Sequence, residues 1–274
     1  MNFLLYKKIL LFVNNGVILE KTNFKEKIMV SKIDRSFDDK FAAAWYGIGG
    51  TFSYKFSKKL LAYLSNNNIK AKNVLDVYCG AGNFLDVMQD AGFSCVGTEG
   101  SAAFIRFNQK NYPDMKFYYS ENMANFGTKE KFDLITCIYD LVNYLEIYSD
   151  WEELFTAAYK QLNKGGSFVF DFNTLKRLSD WNYTYYEQAK DVDYVESVKS
   201  GVFGKTVIDY VYYVRDGEWY DKTSTKYTQT SFEVETVVKS LKKIGFKEVK
   251  VCNFDLAEIV NPETENKVHI IATK

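Results

Sequence analysis

Asp76, the backbone of Cys79, Gly80, Ala81 and Gly82, and Glu99 are the residues whose types and spacing point most directly to chemistry. They lie in "VLDVYCGAGNF" (74–84) and "SCVGTE" (94–99). A glycine turn that joins a strand to a helix exposes unpaired backbone N–H groups, and the helix dipole adds partial positive charge. Such a place suits an anion or a polar cofactor tail. Glu99 stands 19 positions beyond Gly80, at the expected end of a second strand, where a carboxylate can accept both hydroxyls of a ribose. Together these residues specify a nucleoside-type cofactor.

Three details favour S-adenosylmethionine over NAD. A dinucleotide turn of the GxGxxG type needs a small third residue so that the helix packs close beneath a pyrophosphate, and here that position is Leu85. Asp76 would repel a pyrophosphate but can attract the ammonium of a methionine tail; its alternative role is to brace the turn by accepting backbone N–H bonds. Further on, "ENM" (121–123) offers the Asn122 amide and a backbone N–H beside apolar Met123, which suits the edge and face of an adenine. A plain turn is the alternative there. Cys79, near a helix N-terminus, has the setting of a thiolate. No basic partner accompanies it, and the turn needs a small residue, so packing is the favoured reading.

The elements that must position these residues follow from periodicity. From residue 73 short apolar runs alternate with amphipathic stretches, the pattern of βαβ units on a mainly parallel sheet. Strands are predicted at 73–78, 94–99, 116–120, 132–139 and 167–172. Helices are predicted at 83–93, at 102–111 behind a Ser101 cap and before Pro113, and at 150–162, closed by "NKGG". The period then becomes two. "KTVIDYVYYVRDGEWYDKTSTKYTQTSF" (205–232) alternates about Asp216-Gly217, the signal of a two-residue hairpin turn. Residues 176–204 read as an irregular, aromatic, mobile flap. A helix over 232–246 and strands at 248–254 and 267–274 complete the chain.

Thirty-five acidic and thirty-five basic residues cancel, which removes the strong positive field expected of a protein that works on nucleic acid. Four scattered cysteines and the lone His269 supply no metal-ligand spacing and no disulfide framework, so reduced thiols in the cytoplasm fit best. His269 reads as structural. "FLLYKKILLFVNNGVIL" (3–19) is apolar but broken by Lys7, Lys8, Asn14, Asn15 and Gly16, and it falls short of the roughly 18 apolar residues of a membrane span. Residues 1–36 are expected to be a docked or non-native extension, with a domain beginning near Met29. The aromatic share, 17% with 21 Tyr and 22 Phe, is high and needs a place in the fold.

"LDVYCGAGNF", "VGTEGS", "SENMANF", "FDLITCIYDLVNYL" and "LNKGGSFVFDFNT" come in the order of the motifs of class I S-adenosylmethionine-dependent methyltransferases, which the chain resembles from about residue 37 to its end. "FDFNT" and "ENKVHIIATK" resemble in particular the small-molecule branch that includes sugar-amine N-methyltransferases. The resemblance implies a three-layer α/β sandwich with a seven-stranded, mostly parallel sheet whose last strand is antiparallel. It also implies an antiparallel β lid after strand five, at about 175–230, within one domain over 37–274. It implies cofactor contacts from Asp76, Cys79, Gly80, Ala81, Gly82, Glu99, Gly100, Asn122, Met123 and Ile138, and from Tyr46 as an aromatic closing over the methionine tail. "YDLVNY" (139–144) falls where the family places its acceptor, so Tyr139, Asp140 and Asn143 are candidates to orient or deprotonate it. Asn173 and Thr174 face the same rim. The hairpin aromatics are read as sheet packing that excludes water.

Asn122 departs from the family, which usually has Asp there; an amide oxygen accepts the same adenine hydrogen bond without charge. The implied activity is methyl transfer to a small-molecule amine or hydroxyl, with no metal and no membrane span, and a homodimer is compatible with it. The competing readings are an RNA or protein methyltransferase and a non-catalytic module that binds the cofactor.

Overall fold

The computed structural model describes residues 39–188, 192–201 and 204–274. The apolar stretch at 3–19, the extension over 1–36 and the start near Met29 lie outside the described residues. Helix α1 (Asp39–Asn66) leads into β1 (Asn73–Val77), α2 (Asn83–Asp90), β2 (Ser94–Glu99), α3 (Ala102–Asn111), β3 (Lys116–Tyr119) and β4 (Phe132–Cys137). Then come α4 (Tyr148–Gln161), β5 (Leu162–Asn173) and α5 (Leu175–Ser179). Strands β6 (Tyr183–Gln188), β7 (Val192–Ser200), β8 (Lys205–Asp216) and β9 (Trp219–Thr230) follow, and α6 (Val234–Ile244), β10 (Glu248–Cys252) and β11 (Lys267–Thr273) end the chain.

Seven strands form one sheet in the order β10-β11-β5-β4-β1-β2-β3, with β11 antiparallel to both its neighbours. The order reverses next to β1, so the glycine turn after β1 lies at the topological switch point, where α/β sheets bind ligands outside their strand ends. Trp151 and Phe155 of α4 and Val237 and Leu241 of α6 pack on one face, against Phe168, Phe170 and Phe172 of β5. Phe56 and Leu60 of α1 and Phe84, Leu85 and Met88 of α2 pack on the other, against Val74, Leu134 and Val169. Part of the aromatic excess is housed here, with Phe168 and Phe170 stacked at 4.7 Å.

The second sheet, β6-β7-β8-β9, is antiparallel and follows β5 in the chain. The described residues within 176–204 form regular elements where an irregular flap was expected: most of α5, then β6 and β7. Tyrosines and a glutamate at inward positions hide their alternation. The hairpin turn is also shifted by one residue, because Asp216 pairs with Trp219 and leaves Gly217-Glu218 as the loop. Gly217 takes φ +63° at the first turn position, as a type II′ turn requires, and Asp216 remains in the strand. Likewise "NKGG" belongs to β5; α4 stops at Gln161, and the strand starts at once with an irregular register against β4.

Candidate active site

The sequence-predicted residues converge on the C-terminal edge of the large sheet. Gly82 sits at φ +78° as the residue before α2, and a Cβ there would come within 2.9 Å of the Tyr112 ring. No side chain caps α2, so the first N–H groups of the helix are left for something else. Glu99, rather than Asp76, braces the turn. Its carboxylate accepts the N–H of Gly80 at 2.9 Å, of Gly100 at 2.8 Å and of Ser101 at 2.9 Å. A carboxylate offers about four acceptor positions. Glu99 therefore retains room for about one ribose hydroxyl, where two were expected.

Asp76, 3% exposed, accepts only the Thr136 hydroxyl, at 2.6 Å, among the described residues. Burial, with the Glu99 charge adding to it against that hydrogen bond, pushes its carboxyl up to about 7. Cys79 also faces these acids, and burial drives its thiol well above the usual range, the reverse of a thiolate's setting. Asn122 spends one lone pair of its amide oxygen on Ala124 N–H at 2.8 Å and keeps the other; Met123 is buried with the core. Ile138 is buried just below the rim.

Tyr46 lies on the outer flank of the turn. Its carbonyl accepts from Asn83 Nδ2 at 2.8 Å and its hydroxyl donates to Asp86 at 3.4 Å. With Gly50, Thr51, Tyr54 and Asn83 it lines an open cleft of about 420 Å³ that neither Asp76 nor Glu99 lines. The roof over the turn comes instead from Phe41 of α1 and from Tyr194 and Tyr212 of the lid, which pack in one cluster with Ala81 and Phe104.

At the rim beyond β4, where an acceptor was expected, a polar network joins four segments. Tyr139 and Asp140 take positive φ, 76° and 50°, and their N–H groups donate to Asp171 of β5 at 2.6 and 3.1 Å. Lys267 of β11 bridges Asp140 at 2.6 Å and Asp171 at 3.0 Å. Gln229 of β9 donates to Asp140 at 2.5 Å and accepts from Asn173 at 2.9 Å. Burial raises Asp140 and also works on Asp171, where the charge and hydrogen bond of Lys267, with His269 and the Asp140 N–H adding to them, together outweigh it and hold that carboxyl below its ordinary value. Tyr139 remains 39% exposed and edge-on to Phe52, with its hydroxyl pushed up to about 12 by burial.

Asn143 has a different role from the one expected of it. Fully buried, it donates to the carbonyls of Asn173 and Thr230 at 3.0 Å each and accepts Asn173 N–H at 2.8 Å, so its amide is used to hold the rim to the lid. Thr174, also expected at the rim, caps α5 through its hydroxyl.

A family model for a methyltransferase domain matches residues 51–194, more than half of the chain. The chain belongs to this methyltransferase family. YqeM of Bacillus subtilis (strain 168), named as a methyltransferase, is 26% identical to this methyltransferase over 180 residues, 64% of this chain and 73% of the relative. An S-adenosylmethionine-dependent methyltransferase from Clostridium acetobutylicum ATCC 824 superposes with a TM-score of 0.69 at 21% identity, covering 80% of this chain and 91% of that one. DesVI of Streptomyces venezuelae superposes at 0.68 and 18% identity, covering 83% and 94%. The fold is that of the S-adenosylmethionine-dependent methyltransferases.

The residues of this methyltransferase fit such a cofactor. A buried, uncompensated carboxylate (Asp76), free helix N–H groups and a carboxylate with one acceptor position left (Glu99) match a molecule that carries both ammonium and carboxylate on its tail and hydroxyls on its ribose. Lys267, Asp171 and Gln229 were not singled out from the sequence. Asp171 did leave a signal: an acid inside the phenylalanine-rich run "FVFDF" must have a partner. Among the described residues no group of His, Cys, Asp and Glu is arranged to hold a metal, and no helix is long and apolar enough to cross a membrane.

Proposed function

We propose that this methyltransferase moves the methyl group of S-adenosylmethionine to an amine or hydroxyl of a small molecule held between the sheet rim and the lid. Asp76 is the observation that carries the cofactor reading. It is a buried acid beside the glycine turn with one hydroxyl as its partner, and a cationic ligand would pair it. In this reading the cofactor's ammonium lies near Asp76, its ribose at Glu99 and its adenine near Asn122 and Met123, while the N–H groups of Ala81 and of the first turn of α2 face its polar tail; the Gly82 N–H already donates to the Cys79 carbonyl.

A small acceptor is supported by neighbours with related substrates: KedS8 is a sugar N-methyltransferase, and a Pasteurella multocida relative is a ubiquinone biosynthesis O-methyltransferase. Tyr139 and Asp140 stand at the rim where such an acceptor would lie. Methyl transfer is an in-line displacement, and holding the acceptor at attack distance can remove up to about 7–11 kcal/mol of barrier. The roof of Phe41, Tyr194 and Tyr212 would keep water out. The functional domain runs from about residue 37 to 274, with 1–36 as an extension, and the enzyme works in the cytoplasm; four free cysteines support that setting.

The test is calorimetric titration with S-adenosylmethionine and, in parallel, NAD. Micromolar binding of the sulfonium alone is expected, weakened by Asp76→Asn, which keeps the size of the side chain, and lost in Glu99→Ala. Thermal melts accompany the second variant because Glu99 also braces the turn. Failure to bind S-adenosylmethionine at millimolar concentration ends this reading.

A further inference from the structure

The lid carries one inward carboxylate that the cofactor site does not use. Alternate residues of a strand share a face. On β7, Val192, Tyr194 and Val198 are buried at 1%, 8% and 2% exposure, so Glu196, in step with them, points inward as well. Cross-strand neighbours on that face are Tyr185 of β6 and Tyr210 of β8. The row on one side adds Tyr194 and Tyr212; the row on the other adds Tyr183, Val198 and Ile208.

An acid in this setting needs an explanation. β7 is an inner strand of the lid, so the charge does not protect a sheet edge. Tyr183 donates to one carboxylate oxygen at 2.9 Å, and the other has no hydrogen-bond partner among the described residues. None of their ammonium or guanidinium nitrogens lies within ion-pair distance. Arg177, a cation in electrostatic reach, has its guanidinium stacked on Trp181 at 4.5 Å.

Glu196 also looks onto the reaction side. Asp140 and Tyr139 of the rim are in electrostatic reach of it. Its neighbour Tyr210 meets Tyr144 of the rim, hydroxyl to hydroxyl, at 3.5 Å. Access is open along β6, where Tyr183 and Tyr185 are 36% and 44% exposed. A carboxylate framed by tyrosine rings is a site for an organic cation, because the charge pairs with the acid while the ring faces attract it.

We propose that Glu196 is the charge-selecting residue of the acceptor site: together with Tyr185, Tyr194 and Tyr210 it binds an alkylammonium group of the acceptor, in preference to a neutral hydroxyl at the same place. The inference rests on the proposed small-molecule activity and narrows its substrate class to amine-bearing molecules.

The experiment uses the full chain loaded with S-adenosylhomocysteine, whose binding is measured first. Loss of that binding would count against the proposed activity and not against Glu196. The loaded protein is then titrated with tyramine and with tyrosol, which share a ring and differ in ammonium against hydroxyl. Tyramine is expected to bind at least about tenfold tighter, the value of one hydrogen bond to a charged group. Glu196→Gln should erase that preference while S-adenosylhomocysteine affinity stays the same. Equal affinities in the wild type, no binding of either probe at millimolar concentration, or a preference that survives Glu196→Gln would each overturn the proposal.

Discussion

Asp76 makes the glycine turn sensitive to pH, because a carboxyl held near 7 changes charge around neutrality. Its pKa is raised relative to an unfolded aspartate, so without ligand its contribution to stability falls as pH rises between about 4 and about 7. A cationic cofactor needs the ionised form. Affinity for S-adenosylmethionine should therefore drop as pH falls through about 7, to about a tenth of its high-pH value one unit below. Calorimetry across that range checks it, and Asp76→Asn should bind more weakly with a flatter profile. Glu99 shows why an acid's identity did not reveal its role. It sits where a ribose acceptor was expected, yet in the fold it also pins three backbone N–H groups.

Between elements, one fully buried amide helps to hold the sheet and the lid together. Asn143 ties the loop after β4 to the ends of β5 and β9, with all three of its hydrogen bonds going to backbone. Asn143→Ala leaves two carbonyls and an N–H without partners in a fully buried place, at a cost of about 2–4 kcal/mol. A lower denaturant midpoint would show the loss, and hydrogen exchange should rise first at the Thr230 end of β9 while the β4-β5 ladder keeps its protection. The network of Asp140, Asp171, Lys267 and Gln229 runs beside this join, so a lid displaced at Gln229 would also change the surroundings of Asp140.

For the molecule as a whole, the proposed cofactor site joins a roof and a turn that meet only in the folded state. Phe41 of α1 lies 4.5 Å from Tyr212 of β8, edge to face, and both share a cluster with Ala81 of the turn. A ligand seated there binds the folded protein alone and must stabilise it. At about a hundred times its dissociation constant, S-adenosylhomocysteine should add about 2.7 kcal/mol. For a chain of this size that is a rise in melting temperature of roughly 5–10 °C, read by differential scanning calorimetry. NAD at the same concentration should leave the transition in place.

The order of βαβ units, the glycine turn, the Ser101 cap and the 102–111 helix were legible in the residues because each is decided within a few positions by backbone sterics and side-chain period. The candidates from Asp76 to Met123 could be picked out for the same reason, because they lie at or just beyond the ends of successive strands, whereas Tyr46 on α1 lines a different cleft. What tertiary structure alone decided lies far apart in sequence. Lys267 meets Asp140 across 127 positions, Gln229 meets it across 89, and α1 and the lid meet over the turn. Glu196 drew no notice in a stretch read as irregular, and its direction became meaningful only when β6 and β8 fixed which face of β7 is inward. Local geometry sets the period of a strand, but which face is buried, and which charge must find a partner there, depends on the surfaces that fold against it.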